Sequence, residues 1–258
     1  MATVNTRGSS PAVPRSEHST RWARAQSASC DASLLRVRLA DDAVLPNLDE
    51  LTDWVARVRR DPRVARVRTA ALFPAAARRF RDAGFTTADT LALLRIDVRA
   101  WAPPRRRQAG DVSTAALRRR HQRAASSVDR AAFGEHWGHD AAEIEEIRRA
   151  TPAHRAIGRF RRTGPLRRDL VAFAIAGASA DHGYLQRLSV APSEQRHGHG
   201  RALTEASLQW MHQRHARDCV VNTSVDNAAA LALNDAIGFA RLPECLEVLE
   251  LDAAGTAG

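Results

Sequence analysis

A glycine-rich loop between a predicted strand and a predicted helix is the part of the sequence best suited to chemistry. Residues 195–200 read Gln-Arg-His-Gly-His-Gly, and Arg201 follows them. Glycines let a phosphate approach the main chain, and a helix N-terminus offers unpaired N–H groups and about half a positive charge. Arg196 and Arg201 can add charge-assisted hydrogen bonds. The loop therefore predicts a site for a phosphate-bearing ligand.

Individual residues exclude two common phosphate-binding motifs. A dinucleotide fingerprint needs Gly or Ala at position 203, where this chain has Leu203. A nucleoside-triphosphate loop needs Gly-Lys followed by Ser or Thr, and the chain contains no lysine. The pattern that remains is Gln/Arg-x-x-Gly-x-Gly/Ala.

Two segments in this region resemble the GCN5-related N-acetyltransferase superfamily. LSVAPSEQRHGHGRAL resembles that family's fourth strand, pyrophosphate loop and third helix, and NAAALALNDAIGF resembles its Asn-x-x-Ala-x-x-Leu-Tyr-x-x-x-Gly-Phe segment. The resemblance covers residues 112–252 and is strongest over 183–239; residues 129–137 resemble the substrate-side helices. It implies a mixed α/β fold, with a mostly antiparallel central sheet flanked by helices and splayed at a bulge after the fourth strand.

The same resemblance implies acetyl-CoA as co-substrate and direct attack of a primary amine on the thioester. The pantetheine arm would lie in the splay, the pyrophosphate on the loop, and Asn227 near the pantetheine. The implied acceptor is a small amine, a protein N-terminus or a lysine side chain. The implied cofactor-binding residues are Leu188, Ser189, Val190, Gln195, Arg196, His197, Gly198, His199, Gly200, Arg201 and Asn227.

The usual proton-transfer residues of the family are absent from their positions. Asn234 stands where many members have a tyrosine acid, and Asn222 stands where others have a glutamate. Loss of the acid need not abolish activity, because a thiol of pKa near about 8.5 leaves readily as thiolate. His182, Tyr184 and Ser224 are the candidate substitutes, although a turn or packing role is the commoner one for such residues.

Metal and disulfide chemistry are not expected. The histidine pairs 136/139, 197/199 and 212/215 come without further ligands at zinc spacing. Cys30, Cys219 and Cys245 are odd in number and far apart, which favours the reducing cytoplasm.

Hydrophobic patterning around the loop predicts the elements that position it. A helix over 201–215 has an apolar stripe, and glycine ends the next helix at Gly238. The predicted strands are 169–177, 183–191, 218–224 and 244–252; the predicted helices are 113–130, 140–150, 201–215 and 227–237, with a loop or corner between the first two.

The N-terminal half contains a candidate internal repeat. Residues 77–85 (ARRFRDAGF) match 231–239 (LALNDAIGF), and further matches follow at nearly the same shift. A degenerate half-domain of the same fold is therefore expected, without a phosphate loop and with too few preceding residues for the first strands. The expected organisation is a disordered tail at 1–32, the half-domain at 33–100, a linker at 101–112, the acetyltransferase domain at 113–253 and a tail at 254–258.

Two alternative functions remain open, one suggested by the basic composition and one by the asparagines at the proton-transfer positions. All 39 residues counted as Lys or Arg are arginine, the net charge is +10, and no apolar run is long enough to span a membrane. An arginine-rich nucleic-acid-binding protein is one rival, disfavoured because aromatic residues do not interleave the arginines. A catalytically impaired acyl-CoA-binding protein is the other, suggested by the two asparagines.

Overall fold

The structure, a computed structural model, describes residues 17–28, 31–41, 44–102, 112–165 and 167–254. These form two compact units. The first is drawn from Met1–Leu93, Asn222–Asn227 and Leu242–Gly258, and the second from Leu94–Val221 and Ala228–Arg241.

The described residues contain ten strands and six α-helices. The strands are β1 (Ala23–Ser27), β2 (Leu34–Leu39), β3 (Arg66–Thr69), β4 (Thr86–Asp97), β5 (Val112–Ala116), β6 (Ala153–Arg162), β7 (Arg168–Ser179), β8 (His182–Val190), β9 (Asp218–Ser224) and β10 (Ala240–Asp252). The helices are α1 (Leu48–Arg59), α2 (Pro74–Asp82), α3 (Gln122–Trp137), α4 (Ala141–Arg149), α5 (His199–Gln213) and α6 (Ala228–Ile237). None of these helices is long and apolar enough to cross a membrane.

The first unit is a sheet with α1 and α2 packed on an apolar core. β2 pairs antiparallel with β1 and parallel with β3, and β3 pairs antiparallel with β10. Trp22, Trp54 and Phe80 are buried in the core, with their rings edge to face. A capping box between Asn47 and Glu50 starts α1, because each side chain accepts from the other residue's N–H.

The expectation of a disordered tail over 1–32 is wrong for the residues that the structure describes. β1 lies inside that range, and Ala23 and Ala25 are buried. Pairing with β2 supplies what the sequence of β1 lacks, since ARAQS has none of the β-branched or aromatic residues that mark strands. Residues 1–16 and 29–30 lie outside the described residues.

The second unit is a mixed, mostly antiparallel sheet with helices on both faces. Among the strand pairings described for it, the order is β9-β8-β7-β6-β5, in which β8 and β9 are parallel and the other neighbours are antiparallel. Phe173 and Ile175 of β7 pack against Ala125 of α3 and Ile144 of α4. On the opposite face, a Cβ on Gly183 of β8 would lie 2.6 Å from the sulfur of Met211 in α5.

Several predicted elements of this unit need correction. Residues 112–116 form β5 rather than the start of a helix, because they pair with β6, a strand the hydrophobic pattern did not reveal. α3 continues to Trp137 through a kink at Gly134 (φ 75°), in the segment where a loop or helix corner was expected. Of the predicted linker, 103–111 lies outside the described residues and Val112 belongs to β5; of the tail, 255–258 is likewise outside.

Residues 34–97 have the element order that the candidate repeat requires. β2, α1, β3, α2 and β4 follow one another as β8, α5, β9, α6 and β10 do. Contrary to expectation, β1 precedes this series and pairs antiparallel with β2. The repeat itself stays a prediction.

Candidate functional site

β8 carries a bulge that changes which way its residues face. Arg187 pairs with Ile175 of β7 and Leu185 with Ala176, so Gln186 is an extra residue without a β7 partner. The bulge therefore lies within this strand, not after it as expected. A one-residue insertion switches the face of every residue beyond it, so Tyr184 and Arg187 face the same side of the sheet.

The last part of β8 has main-chain groups directed away from β7. Ala191 N donates to Val171 O at 3.0 Å. Counting back along an antiparallel ladder places Ser189 in a hydrogen-bonded pair, and Leu188 and Val190 in non-hydrogen-bonded pairs. The main chain of Ser189 is therefore engaged by β7, whereas the N–H and C=O groups of Leu188 and Val190 point toward the β9 side.

The parallel ladder between β8 and β9 is short. Within this unit it joins His182–Tyr184 to Asp218–Val220, while pairing with β7 extends to Val190. The described pairing thus ends at Tyr184 on β8. The expected splay beyond that point stays a prediction.

The glycine loop leads directly into α5. Gly198 is the N-cap in a left-handed conformation (φ 78°), and no side chain caps the helix. The first intrahelical bond runs from Ala202 N to Gly198 O, so the N–H groups of the preceding first-turn residues have no acceptor inside the helix. A Cβ on Gly198 would meet nothing within 4 Å, so this end of α5 is open to a ligand.

The buried carboxylate of Glu194 lies next to the loop, between Arg161 and His199. Glu194 Oε2 accepts from Arg161 Nη2 at 2.5 Å and lies 3.4 Å from His199 Nε2. Burial, and then the charge of Arg159, lower the pKa of His199, against the opposing effect of Glu194. The first residue of α5 is thus a neutral, buried histidine, and its Nδ1 has no hydrogen-bond partner in the described structure.

Most of the remaining predicted loop residues are exposed, whereas Gly200 and Asn227 are half-buried. Arg196 has a positive φ of 63°, and Arg201 donates to Ala236 O at 3.2 Å. Asn227 belongs by its contacts to the other unit; it directly precedes α6, and its N–H donates to Ser224 O at 3.0 Å. The exposed loop residues are Gln195, Arg196, His197, Gly198 and Arg201.

The three candidate proton carriers have different surroundings. His182 starts β8, about 20 Å along the strand from Leu188, and its Nδ1 lies 2.8 Å from Asp218 Oδ1. Ser224 Oγ donates to Asp89 Oδ1 at 2.8 Å. Tyr184 lies where the β8–β9 ladder ends, and burial, with Asp218 and Asp181, raises its pKa. Of the two candidates on β8, Tyr184 is the one at the end of the described β8–β9 pairing.

The two asparagines at the usual proton-transfer positions also differ. Asn222 is exposed on β9. Asn234 is buried in α6, 4% exposed, and its main-chain oxygen accepts from Gly238 N and Phe239 N at the helix end. Neither side chain can titrate.

A buried aspartate on α3 is a feature that no sequence pattern indicated. Asp129 is fully buried and accepts from Arg187 Nε at 2.8 Å, from Arg187 Nη2 at 2.7 Å, from Ser189 Oγ and from His139 N at 2.8 Å. Burial alone would raise the pKa of Asp129, but the donors from His139, Arg187 and Ser189 outweigh it and hold that pKa well below its usual range.

Among the described residues, one group of three could hold a metal ion: Glu17, His18 and Asp61. Arg63 already donates to both acids, and His18 Nε2 lies 2.9 Å from Asp61. An arginine occupies the position that a cation would take, so this group carries no argument for a metal.

Comparisons with known sequences agree on one family. The Acetyltransferase (GNAT) family model matches residues 124–239. The [Ribosomal protein bS18]-alanine N-acetyltransferase of Escherichia coli K12 is 36% identical over 70 residues, 27% of this chain and 47% of that protein. N-alpha-acetyltransferase 30 of Schizosaccharomyces pombe is 37% identical over 59 residues, 23% of this chain and 39% of that protein. The chain spans less than half the length of these two curated relatives.

Solved structures show the same fold at low identity. A GCN5-related N-acetyltransferase from Sphaerobacter thermophilus has a TM-score of 0.60 at 13% identity, covering 90% of this chain and 76% of that one. A tandem GNAT protein from the clavulanic acid biosynthesis pathway has a TM-score of 0.60 at 14% identity, covering 86% and 76%. The expected mixed α/β class, with a mostly antiparallel sheet flanked by helices, is confirmed.

Proposed function

The chain belongs to the GCN5-related N-acetyltransferase superfamily, and from this premise we propose that it transfers the acetyl group of acetyl-CoA to a primary amine. The amine attacks the thioester carbon, the carbonyl oxygen takes up negative charge, and the bond to sulfur breaks, leaving a coenzyme A thiolate that takes up a proton before release. The proton lost by the amine leaves to solvent or to a nearby base.

The open end of α5 beside β8 is the observation that supports this proposal most strongly. A Cβ on Gly200 would lie 3.9 Å from both Leu188 Cδ2 and Val190 Cγ2, so the loop and the last part of β8 are neighbours. A ligand with a pyrophosphate and a long amide-bearing arm fits that combination. The pyrophosphate would bind the first-turn N–H groups, and the arm would bind the main chain of Leu188 and Val190.

Catalysis would depend mainly on orienting the two substrates, with one titratable side chain as proton donor. Orienting the amine and stabilising the oxyanion contribute most of the rate in reactions of this type. Of the three candidates, Tyr184 has the position, and its raised pKa keeps the phenol protonated at neutral pH. We assign it the transfer of a proton to the departing thiolate.

The acceptor class remains a choice among amines. The two curated relatives are named as an alanine N-acetyltransferase of ribosomal protein bS18 and an N-alpha-acetyltransferase. A protein N-terminus is therefore the first acceptor to try. A screen should hold an alanine-initiated peptide, an N-terminally blocked lysine peptide, an aminoglycoside and a polyamine.

Thermal melting with and without acetyl-CoA tests the donor site directly. Ligand at 100 times its dissociation constant should add about 2.7 kcal/mol to the unfolding free energy. Gly198→Glu should abolish that shift, because a carboxylate would fill the open position at the helix end. Gly134→Glu is the matched control and should keep the shift, because Gly134 has a similar positive φ of 75° and open space around a Cβ.

The rival function is acyl-CoA binding without turnover, which Asn222 and Asn234 favour. The same screen separates the two. A ligand-induced shift together with coenzyme A release that depends on an amine supports the transferase. A shift without amine-dependent release from any acceptor supports the binding protein, and no shift in the wild type contradicts both.

A further inference from the structure

The two faces of β8 pack against different helices, α5 on one side and α3 on the other. We assign the two substrates of the proposed reaction to different faces. Leu188 and Val190 lie on the α5 face, next to Gly200. Arg187 and Ser189 lie on the opposite face, since side chains alternate along a strand and both bind Asp129 of α3. The phosphate loop belongs to the α5 face, so the donor would occupy that side of the sheet. This leaves the α3 face, called the acceptor face below, for the attacking amine.

Arg187 is the residue that connects β8 to that acceptor face. Its guanidinium binds both carboxylate oxygens of Asp129, donates to Trp137 O at 3.1 Å and lies 3.8 Å over the ring of Phe133. Only 16% of the side chain is exposed, so the pair is protected from water. A bidentate arginine held at four points has one orientation available to it.

The bulge makes this connection possible. Without the extra residue Gln186, Arg187 would point to the α5 face and could not reach α3. With it, Arg187 shares a face with Tyr184, the proposed proton donor. The strand irregularity and the ion pair therefore act together to order the surface over the splay.

The C-terminal part of α3 and the residues that follow it form a kinked segment that Asp129 and Arg187 contact. α3 turns sharply at Gly134, and Gly138 N donates back to Gly134 O at 2.8 Å. His139 N donates to Asp129, and His139 O accepts from Ser126 Oγ at 3.0 Å. A Cβ on Gly138 would lie 2.8 Å from the main chain of Arg130, so the segment is packed tightly.

We propose that Arg187 is a positioning residue for the acceptor: with Asp129 it holds residues 133–139 against the bulged part of β8 and thereby sets where the amine lies. The inference rests on the proposed transferase function. Arg187 does not touch the reacting atoms, and its charge is neutralised by Asp129. Its loss should weaken acceptor binding and turnover while leaving acetyl-CoA binding intact.

Arg187→Lys is the variant to test, because removing Asp129 would leave a buried, unpaired guanidinium and risks loss of folding. Lysine keeps the charge but cannot bind both carboxylate oxygens and Trp137 O together. Arg148→Lys is the matched control. Arg148 forms a similar bidentate pair, with Glu145, but both residues lie on α4, three positions apart.

Three readouts are needed: acceptor KM and kcat, the acetyl-CoA dissociation constant, and amide exchange at His139. For Arg187→Lys the acceptor KM should rise by roughly tenfold and kcat should fall by a similar factor. The acetyl-CoA dissociation constant should stay within about twofold, and His139 should exchange faster. Arg148→Lys should leave all three readouts near wild type.

The results separate this inference from the underlying function. Faster exchange at His139 with unchanged acceptor KM and kcat would show a purely structural pair and overturn the proposal. Equal effects of the two variants would also overturn it. Absence of amine-dependent turnover in the wild type would instead contradict the transferase function, whatever the exchange data show.

Discussion

A Cβ atom on Gly200 would lie 3.0 Å from Leu233 Cδ2, so the second residue of α5 packs directly against α6. The glycine thus lets the helix that would bind the phosphates come close both to α6 and to the last part of β8. A side chain there would have to displace Leu233 or move the N-terminus of α5.

Gly200→Val should destabilise the protein by about 1–3 kcal/mol, the usual cost of overpacking. Leu233→Ala in the same chain should recover part of this loss, because it removes the atom that the new side chain meets. Denaturant unfolding of the two single variants and the double variant measures the coupling. Strict additivity would show that the two residues do not share the space.

Tyr184→Phe should lower kcat by about 10²-fold or more, since it removes the hydroxyl of the proposed proton donor and keeps the ring. Ser224→Ala and His182→Asn should each change kcat by less than about tenfold. Ser224 is engaged with Asp89 and His182 with Asp218. A large loss in either of those variants, with a small one for Tyr184→Phe, would reverse the assignment.

Asn234→Tyr restores the residue that the family resemblance places at that position, yet we expect no large gain. Asn234 is buried, so a tyrosine overpacks the site and should lower the melting temperature. Tyr184 is already the proposed proton donor, so a second acid should change kcat by less than about tenfold. An increase of 10²-fold would indicate a site that has lost its acid and support the impaired-protein alternative.

Protonation of His199 should contribute to acid destabilisation. Its pKa in the folded protein is lowered by burial and by Arg159, whereas in the unfolded chain it is about 6.5. As pH falls below about 6.5 the unfolded chain takes up a proton that the folded protein resists, so the unfolding free energy decreases.

Melting curves between pH 7.5 and 5 test this effect. His199→Gln should flatten the fall in melting temperature, whereas His197→Gln, in the exposed part of the same loop, should leave it unchanged because His199 is retained. An unaltered slope in His199→Gln would assign the effect to other groups.

The elements around the phosphate loop could be predicted because their signals are local. β9 was predicted at its observed bounds of 218–224, and α6 ends before Gly238, whose φ is 105°. The glycines and the apolar spacing lie within the elements themselves. The same holds for the loop, which needs only consecutive residues.

The features missed depend on partners far along the chain. β1 and β5 are strands because β2 and β6 lie beside them, while their own sequences indicate tail and helix. Asp129 and Arg187 are 58 residues apart, and no spacing rule links them. The bulge at Gln186, which turns Arg187 toward Asp129, is visible only in the register with β7.

Because the chain contains no lysine, a lysine introduced by mutation could report how far the bound thioester reaches. An amine acetyltransferase ordinarily has lysine side chains that can themselves be acetylated, which complicates a mass measurement of acetylation. Here arginine stands at every Lys or Arg position. A single lysine placed on α3 or beside the bulge would be the only such amine in the chain. Whether it gains the mass of one acetyl group would then map, position by position, the reach of the thioester.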